Sequence, residues 1–122
     1  MKIRISWKKG QVTATLAETP TSSRLKTSLP FDAKAQTWGK EVYFRVPFTA
    51  NLEPNAKQVV EPGTVCYWVE GQSMAIPFGP TPISKANECR LVAPVNVLGR
   101  LDSDAGMLDS VEEGDCIRVE EA

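Results

Sequence analysis

The sequence predicts a mostly β protein, a small closed β-barrel with one or two short helices, formed as a single domain by residues 1–122. The chain has the usual size of one domain, and its 42% hydrophobic and 24% charged residues are ordinary globular proportions. Short runs of alternating apolar and polar residues recur along it, separated by Gly and Pro turns. The first and last runs differ in charge, so they can pair and leave no edge strand exposed.

The N-terminal third predicts a hairpin followed by a helix. Residues 3–7 and 12–17 alternate apolar with polar side chains and are separated by a glycine turn. Thr19 and Pro20 are a typical N-cap and first helical residue, and Pro30 ends the pattern that follows. We therefore expect a helix of two to three turns after the hairpin.

The rest of the chain predicts strands joined by tight turns. Five further runs bring the total to about seven strands: residues 42–46, 65–69, 74–78, 95–101 and 116–121. Residues 49–58 are polar and predict a loop, whereas Pro62 and Gly63 occupy the central positions expected of a type II turn. Pro77 indicates that its strand lies at an edge or contains a bulge, and a short helical turn is expected near residues 107–111.

Charge is unevenly distributed along the chain although its formal net value is only −1. Residues 1–61 contain ten Lys or Arg against five Asp or Glu, and residues 62–122 contain four against ten. We interpret this asymmetry as pairing between strands of the two halves rather than as a basic binding surface. With so small a net charge, no nucleic-acid partner is expected.

Several kinds of site are excluded or disfavoured by the residues present. The chain contains no histidine, which removes Ser-His-Asp and Cys-His nucleophilic sites and imidazole acid-base chemistry. Asp102, Asp104 and Glu113 have the spacing of three calcium-loop ligands, but Met107 stands where such a loop requires glycine. We therefore expect no metal site, and no cofactor is implied by any motif.

Location and partners are constrained only broadly. No apolar run approaches the roughly 20 residues that a membrane helix needs, and the first residues do not resemble a secretory signal. Three cysteines form no C-x-x-C pattern, which favours reduced thiols and a cytoplasmic protein without a membrane partner. A protein partner or a homo-oligomer is left open.

One strand places three functional side chains on the same face. Glu41, Tyr43 and Arg45 alternate with apolar neighbours, so they form either the solvent face of the barrel or the wall of a cleft. In a cleft, Glu41 would be an acceptor or general base and Arg45 would hold a carboxylate. Trp38 and Trp68 would then provide an aromatic wall, unless both are core residues.

A stiff loop follows the fifth predicted strand. The segment Phe78-Gly79-Pro80-Thr81-Pro82 offers a hydroxyl and backbone acceptors, and it would either border a pocket or simply form a rigid corner.

Several segments also resemble a known family. These are Leu29-Pro30-Phe31, Trp38-Gly39-Lys40-Glu41-Val42-Tyr43-Phe44, Val60-Glu61-Pro62-Gly63, Phe78-Gly79-Pro80-Thr81-Pro82 and Pro94-Val95-Asn96-Val97-Leu98-Gly99-Arg100. Together they resemble the small bacterial and archaeal, Thermotoga-type family of cyclophilin-like proteins, which has no firmly established activity. The resemblance covers nearly the whole chain and implies a closed cyclophilin-like barrel with a helix packed over one end.

Cyclophilins proper isomerise X-Pro bonds with an arginine in an apolar pocket. The segment Tyr43-Phe44-Arg45-Val46-Pro47 resembles the strand that carries this arginine, which makes Arg45 the one transferable candidate. The histidine and the Gly-Phe-Met-x-Gln-Gly-Gly-Asp motif of those enzymes have no counterpart here.

Three functions follow as expectations. The first is a binding module, rather than an enzyme, for a small carboxylated or amide-bearing ligand or a peptide. Its pocket would be bordered by Tyr43, Trp68, Phe78, Pro80 and Thr81. The alternatives are a weak peptidyl-prolyl isomerase that uses Arg45, with Glu41 as the other catalytic candidate, and a non-catalytic subunit of a larger amide-processing enzyme. We also expect Arg45 to lower the pKa of the Glu41 carboxyl.

Overall fold

A computed structural model describes all 122 residues and contains ten strands and two short helices. The elements are β1 (Lys2–Trp7), β2 (Gly10–Leu16), α1 (Pro20–Ser28), β3 (Phe31–Lys34), β4 (Gln36–Thr37), β5 (Glu41–Arg45), β6 (Lys57–Val60), β7 (Thr64–Trp68), β8 (Ser73–Pro77), β9 (Cys89–Leu101), a 3₁₀ helix (Ala105–Ser110) and β10 (Cys116–Glu121). The mostly β class and the short helices are confirmed. Neither helix has the length and apolar character needed to cross a lipid bilayer.

Local sequence signals locate the first helix and the turn before β7 correctly. The Thr19 side chain accepts a hydrogen bond from the Ser22 amide, and the Thr19 amide donates to the Ser22 hydroxyl oxygen, which completes a capping box. Gly63 has a φ of +86° and the Thr64 amide donates to the Glu61 carbonyl, as a type II turn requires.

The strands form one curved sheet whose order is β3-β10-β1-β2-β9-β7-β8-β5-β4, with β6 paired to β9 at the side. The predicted pairing of the terminal strands is confirmed: β1 and β10 are antiparallel, with Arg4 opposite Glu120. Ion pairs such as Lys2 with Asp102 and Lys9 with Glu112 join the basic first half of the chain to the acidic second half. The charge asymmetry is thus an internal pairing pattern.

The barrel closes through one extended segment that changes its partner. β3 pairs with β10, whereas β4, separated from β3 only by Ala35, pairs with β5 at the other end of the sheet. The Ala35 amide donates to the Asp115 carbonyl, and its carbonyl accepts from the Gly114 amide. The two ends of the sheet are therefore joined by the covalent chain, which gives a nearly closed barrel.

Two apolar layers lie on opposite faces of the β5-β8-β7 sheet. Val42 and Phe44 of β5 point into the main core with the apolar residues of the other strands. A separate cluster of Cys66, Ala75, Leu91 and Val95 covers the other face. Its last two members come from the first half of β9, which forms a ribbon with β6 and crosses that face.

Two predictions about irregular regions are corrected. Pro77 marks neither an edge nor a bulge, because β8 lies between β7 and β5 and Pro77 is its last residue, opposite Glu41. Residues 49–56 form the expected loop, but strand β6 already begins at Lys57. The predicted strand at 95–101 is the second half of β9, which begins at Cys89.

Candidate functional site

A cavity of about 220 Å³ lies between the outer face of the barrel sheet and the first half of β9. Seven of its eight lining residues are apolar or aromatic, and the exception is a glutamate. The lining residues are Trp38, Glu41, Tyr43, Trp68, Ala75, Leu91, Val92 and Val95. Of the two interpretations open for the polar face of β5, the wall of a cleft therefore applies to Glu41 and Tyr43.

Strand register brings the cavity residues of three strands together. Tyr43 of β5 is opposite Ala75 of β8, which is opposite Cys66 of β7, so these side chains form one row on the outer face. Glu41 lies two residues before Tyr43 and therefore on the same face. Trp38 approaches from the β4–β5 turn, where its amide donates to the Glu41 carbonyl at 3.0 Å.

Two aromatic rings form adjoining walls of the cavity. The Tyr43 and Trp68 ring centroids are 6.1 Å apart, and their planes meet at 82°. The Trp68 ring also lies directly over the backbone of Gly71, where any side chain would overlap it. This close approach explains why the turn after β7 contains a glycine.

The Glu41 carboxyl is the only acidic group in the lining. The residue is 6% exposed, and its Oε1 atom is buried without a hydrogen-bond partner. None of the ion pairs in the protein includes this carboxylate. Burial raises the pKa of Glu41 from 4.5 to about 7, because the charged form loses its hydration.

The Arg45 guanidinium does not offset the cost of burying the Glu41 carboxylate. It lies at the exposed end of β5, where its guanidinium donates to the side chain of Gln72 at 3.3 Å, and it is not among the residues that line the cavity. The expectation that Arg45 lowers the pKa of Glu41 is therefore wrong, since desolvation determines the shift. The strand separates the two side chains too far for a contact that would offset burial.

Phe78 and Pro80 lie outside the cavity lining and support the turn that carries Trp38. The Phe78 amide donates to the Lys40 carbonyl at 2.8 Å, and the Lys40 amide donates to the Pro80 carbonyl at 3.0 Å. Gly39, with a φ of +61°, packs so closely on this loop that a side chain there would meet it. Through these backbone hydrogen bonds, segment 78–82 holds the turn between Trp38 and Glu41 in place.

Thr81 belongs to the same supporting loop. It is buried, and its hydroxyl donates to the Arg90 carbonyl near the start of β9. Ser84 Oγ accepts from the amides of both Thr81 and Arg90. The loop is therefore tied to the part of β9 that supplies Leu91 and Val92 to the cavity.

The cavity contains residues that the sequence did not indicate. Leu91 and Val92 come from the part of β9 that was not predicted as a strand, whereas Val95 is the first residue of the predicted strand, and Val92 remains 53% exposed at the cavity. No local sequence pattern indicates Leu91 and Val92, because the exposure of Val92 beside aromatic side chains arises only when β9 crosses the sheet.

The arrangement suits a ligand that has an apolar body and one polar group, because the lining contains seven apolar or aromatic residues and one glutamate. Cys66 lies in the row next to the cavity, but burial raises the pKa of its thiol strongly, so a thiolate nucleophile is not available there. Glu41 is left as the one group able to exchange a proton near neutral pH.

Comparisons with known proteins agree on one fold. A family model described as Cyclophilin-like matches residues 1–120. The solution structure of the hypothetical protein AF2241 from Archaeoglobus fulgidus is similar, with a TM-score of 0.85 and 35% identity over 100% of this chain and 95% of that chain. The structure of McbB in complex with tryptophan has a TM-score of 0.72 and 17% identity, over 98% of this chain and 44% of McbB. At that identity the likeness concerns the fold alone. No curated protein matches the chain.

Proposed function

The chain belongs to the cyclophilin-like family, and we propose that it is a binding module for a small organic ligand. The ligand places an apolar body against Trp38, Tyr43 and Trp68 and directs a nitrogen donor at Glu41. An amide-bearing molecule, or the end of a peptide, has this combination of groups.

The observation that carries the proposal is the buried Glu41 Oε1 atom without a hydrogen-bond partner. Leaving a buried acceptor unpaired costs about 1–3 kcal/mol, and more when the group is charged. A donor on a bound ligand would remove this cost, so the hydrogen bond to Glu41 would contribute favourably to the free energy of binding.

The size of the cavity limits the ligand. A volume of about 220 Å³ is smaller than the roughly 300–1,000 Å³ of pockets that hold drug-sized molecules. The cavity accommodates one compact group, and a longer ligand would continue past the exposed Val92 side chain.

McbB, which shares the fold, has been observed with tryptophan. Tryptophan combines an aromatic body with nitrogen donors, so it is a useful probe for this cavity, although 17% identity transfers no site residue.

The proposal is tested by NMR titration of the full chain with pivalamide, benzamide and tryptophan. The indole N–H signals of Trp38 and Trp68 are expected to shift and saturate together. The Trp7 indole, which donates to Ser110 at 2.9 Å, is an internal control that should not move.

Two variants sharpen the test. Trp68→Ala removes a cavity wall and is expected to abolish saturation, whereas Arg45→Ala changes an exposed side chain outside the lining and should leave affinity unchanged. If no probe shifts the two cavity indoles, or if the Trp38 indole still shifts and saturates in Trp68→Ala, the proposed binding function is wrong.

A further inference from the structure

We infer that the cavity selects a positively charged nitrogen, so that its ligand class is a compact alkylammonium rather than a neutral amide or a carboxylate. This inference rests on the proposed binding function and specifies the chemistry of the ligand. Three features of the cavity support it.

The first feature is the arrangement of the aromatic walls. Tyr43 and Trp68 stand nearly perpendicular, with planes at 82°, and Trp38 lines the same cavity. The faces of such rings carry negative electrostatic potential and attract a cation placed within about 6 Å of a ring centroid. Several rings at an angle to each other surround a rounded cationic group better than they surround a flat amide.

The second feature is an acidic group without a counterion. Glu41 forms no ion pair, and the nearest basic residues along the chain are engaged elsewhere. Lys40 contacts Asp109 at 3.4 Å and lies over the Phe78 ring, while Arg45 contacts Gln72. A cationic ligand would therefore supply the only positive charge in the cavity.

The third feature is the apolar remainder of the lining. Ala75, Leu91 and Val95 keep water away from the charges, and a Coulomb attraction is stronger in such surroundings than in water. These apolar residues provide no cationic partner for a carboxylate ligand, and an ionised Glu41 and the ring faces would repel it. An amide gains the hydrogen bond to Glu41 but not the charge attraction.

The deciding experiment compares three probes with one shared body. Tert-butylammonium, pivalamide and pivalate all contain a tert-butyl group and differ only in a cationic, neutral or anionic head. Dissociation constants are measured on the full chain from the indole signals of Trp38 and Trp68. We expect the ammonium to bind about ten times more tightly than the amide, and the carboxylate most weakly.

Variants assign the preference to the carboxylate. In Glu41→Gln the ammonium should lose its advantage over pivalamide, whereas in Glu121→Gln, which removes an exposed carboxylate on β10 outside the cavity lining, the preference should persist. Glu41→Asp keeps the charge but withdraws it from the rings, and we expect an intermediate preference. The comparison of probes on the unaltered protein does not depend on how well these variants fold.

Each outcome is decisive. If pivalamide or pivalate binds as tightly as the ammonium, or if the ammonium produces no saturable shift, the inference is wrong. In those cases saturable binding of pivalamide or tryptophan still supports the proposed function, so failures of the two proposals are distinguishable. Retention of the ammonium preference in Glu41→Gln would also overturn the assignment.

Discussion

The rings of Tyr43 and Trp68 meet edge to face, with centroids 6.1 Å apart, although the residues belong to strands that do not pair with each other. Between them β8 presents two small side chains on this face, Ala75 opposite Tyr43 and Ser73 opposite Trp68, which leaves room for the rings to approach. The contact fixes one corner of the cavity.

Gly71→Ala should disturb this corner without changing any lining residue. The new methyl group would overlap the Trp68 ring, so the ring must move out of its position against Tyr43. We expect a shifted Trp68 indole signal and loss of probe binding. Gly106→Ala, in the 3₁₀ helix, meets only the flexible side chain of Asp104 and should retain binding. An unchanged Trp68 signal in Gly71→Ala would contradict this account.

Glu41→Gln should change how stability depends on pH. Because the pKa of Glu41 is raised from 4.5 to about 7 in the folded protein, folding favours the protonated form. Its contribution is fully present below about pH 4.5 and is lost as the pH rises to about 7, a decrease of about 3 kcal/mol in the free energy of unfolding. The glutamine variant lacks this decrease. Urea unfolding across this range measures it, and parallel profiles for the two proteins would show that the carboxyl is not desolvated.

Asp102→Asn should destabilise the protein at neutral pH but not in strong acid. The Asp102 carboxylate accepts hydrogen bonds from Lys2, Thr13 and Thr15, and these hold its pKa at about 2. Its contribution is present above the ordinary value of 3.8 and is lost as the pH falls through about 2.

The Asp102 prediction has a matched control in Asp109→Asn. Asp109 is 71% exposed and has a single contact with Lys40, so this change should have little effect on thermal stability. Equal effects of the two substitutions at neutral pH would refute a special role for the hydrogen bonds around Asp102.

Asn96→Leu should weaken the attachment of the loop that follows β5. The fully buried Asn96 side chain donates to the Asn51 carbonyl and to Thr21, and accepts from the Glu53 amide at 2.7 Å. Leucine has similar volume but leaves these groups unpaired, and we expect a loss of about 2–4 kcal/mol in the free energy of unfolding. Val97→Ala, one residue further along β9, is the control for a change in this strand. If Asn96→Leu lowers the free energy of unfolding by less than Val97→Ala does, the hydrogen bonds of the Asn96 amide do not stabilise the loop, and this prediction is wrong.

Features encoded by neighbouring residues were predictable from the sequence. The helix start at Thr19 and the turn at Gly63 depend on contacts within three or four residues, and alternation placed Glu41 and Tyr43 on one face of their strand. Trp68, a candidate wall of a cleft from the sequence, lines the cavity. In each case the determining interaction is local.

Features that depend on distant packing were not predictable. The first half of β9 shows no clear alternation, because it pairs with β6 while it covers the outer face of another part of the sheet. The roles of Leu91 and Val92 follow from that placement. The pKa of Glu41 was misjudged for the same reason: spacing along the strand suggested Arg45 as the determining neighbour, whereas burial by β9 dominates.

The change of partner at Ala35 gives the barrel a seam. Residues 31–37 are held to β10 by four residue pairs on one side and to β5 by two on the other, whereas β1 and β2 share six. Amide hydrogens in this segment should therefore exchange with solvent through local opening, at a lower free energy than those of β1 and β2. Trp38 directly follows the seam, so this weakly paired segment adjoins one wall of the cavity.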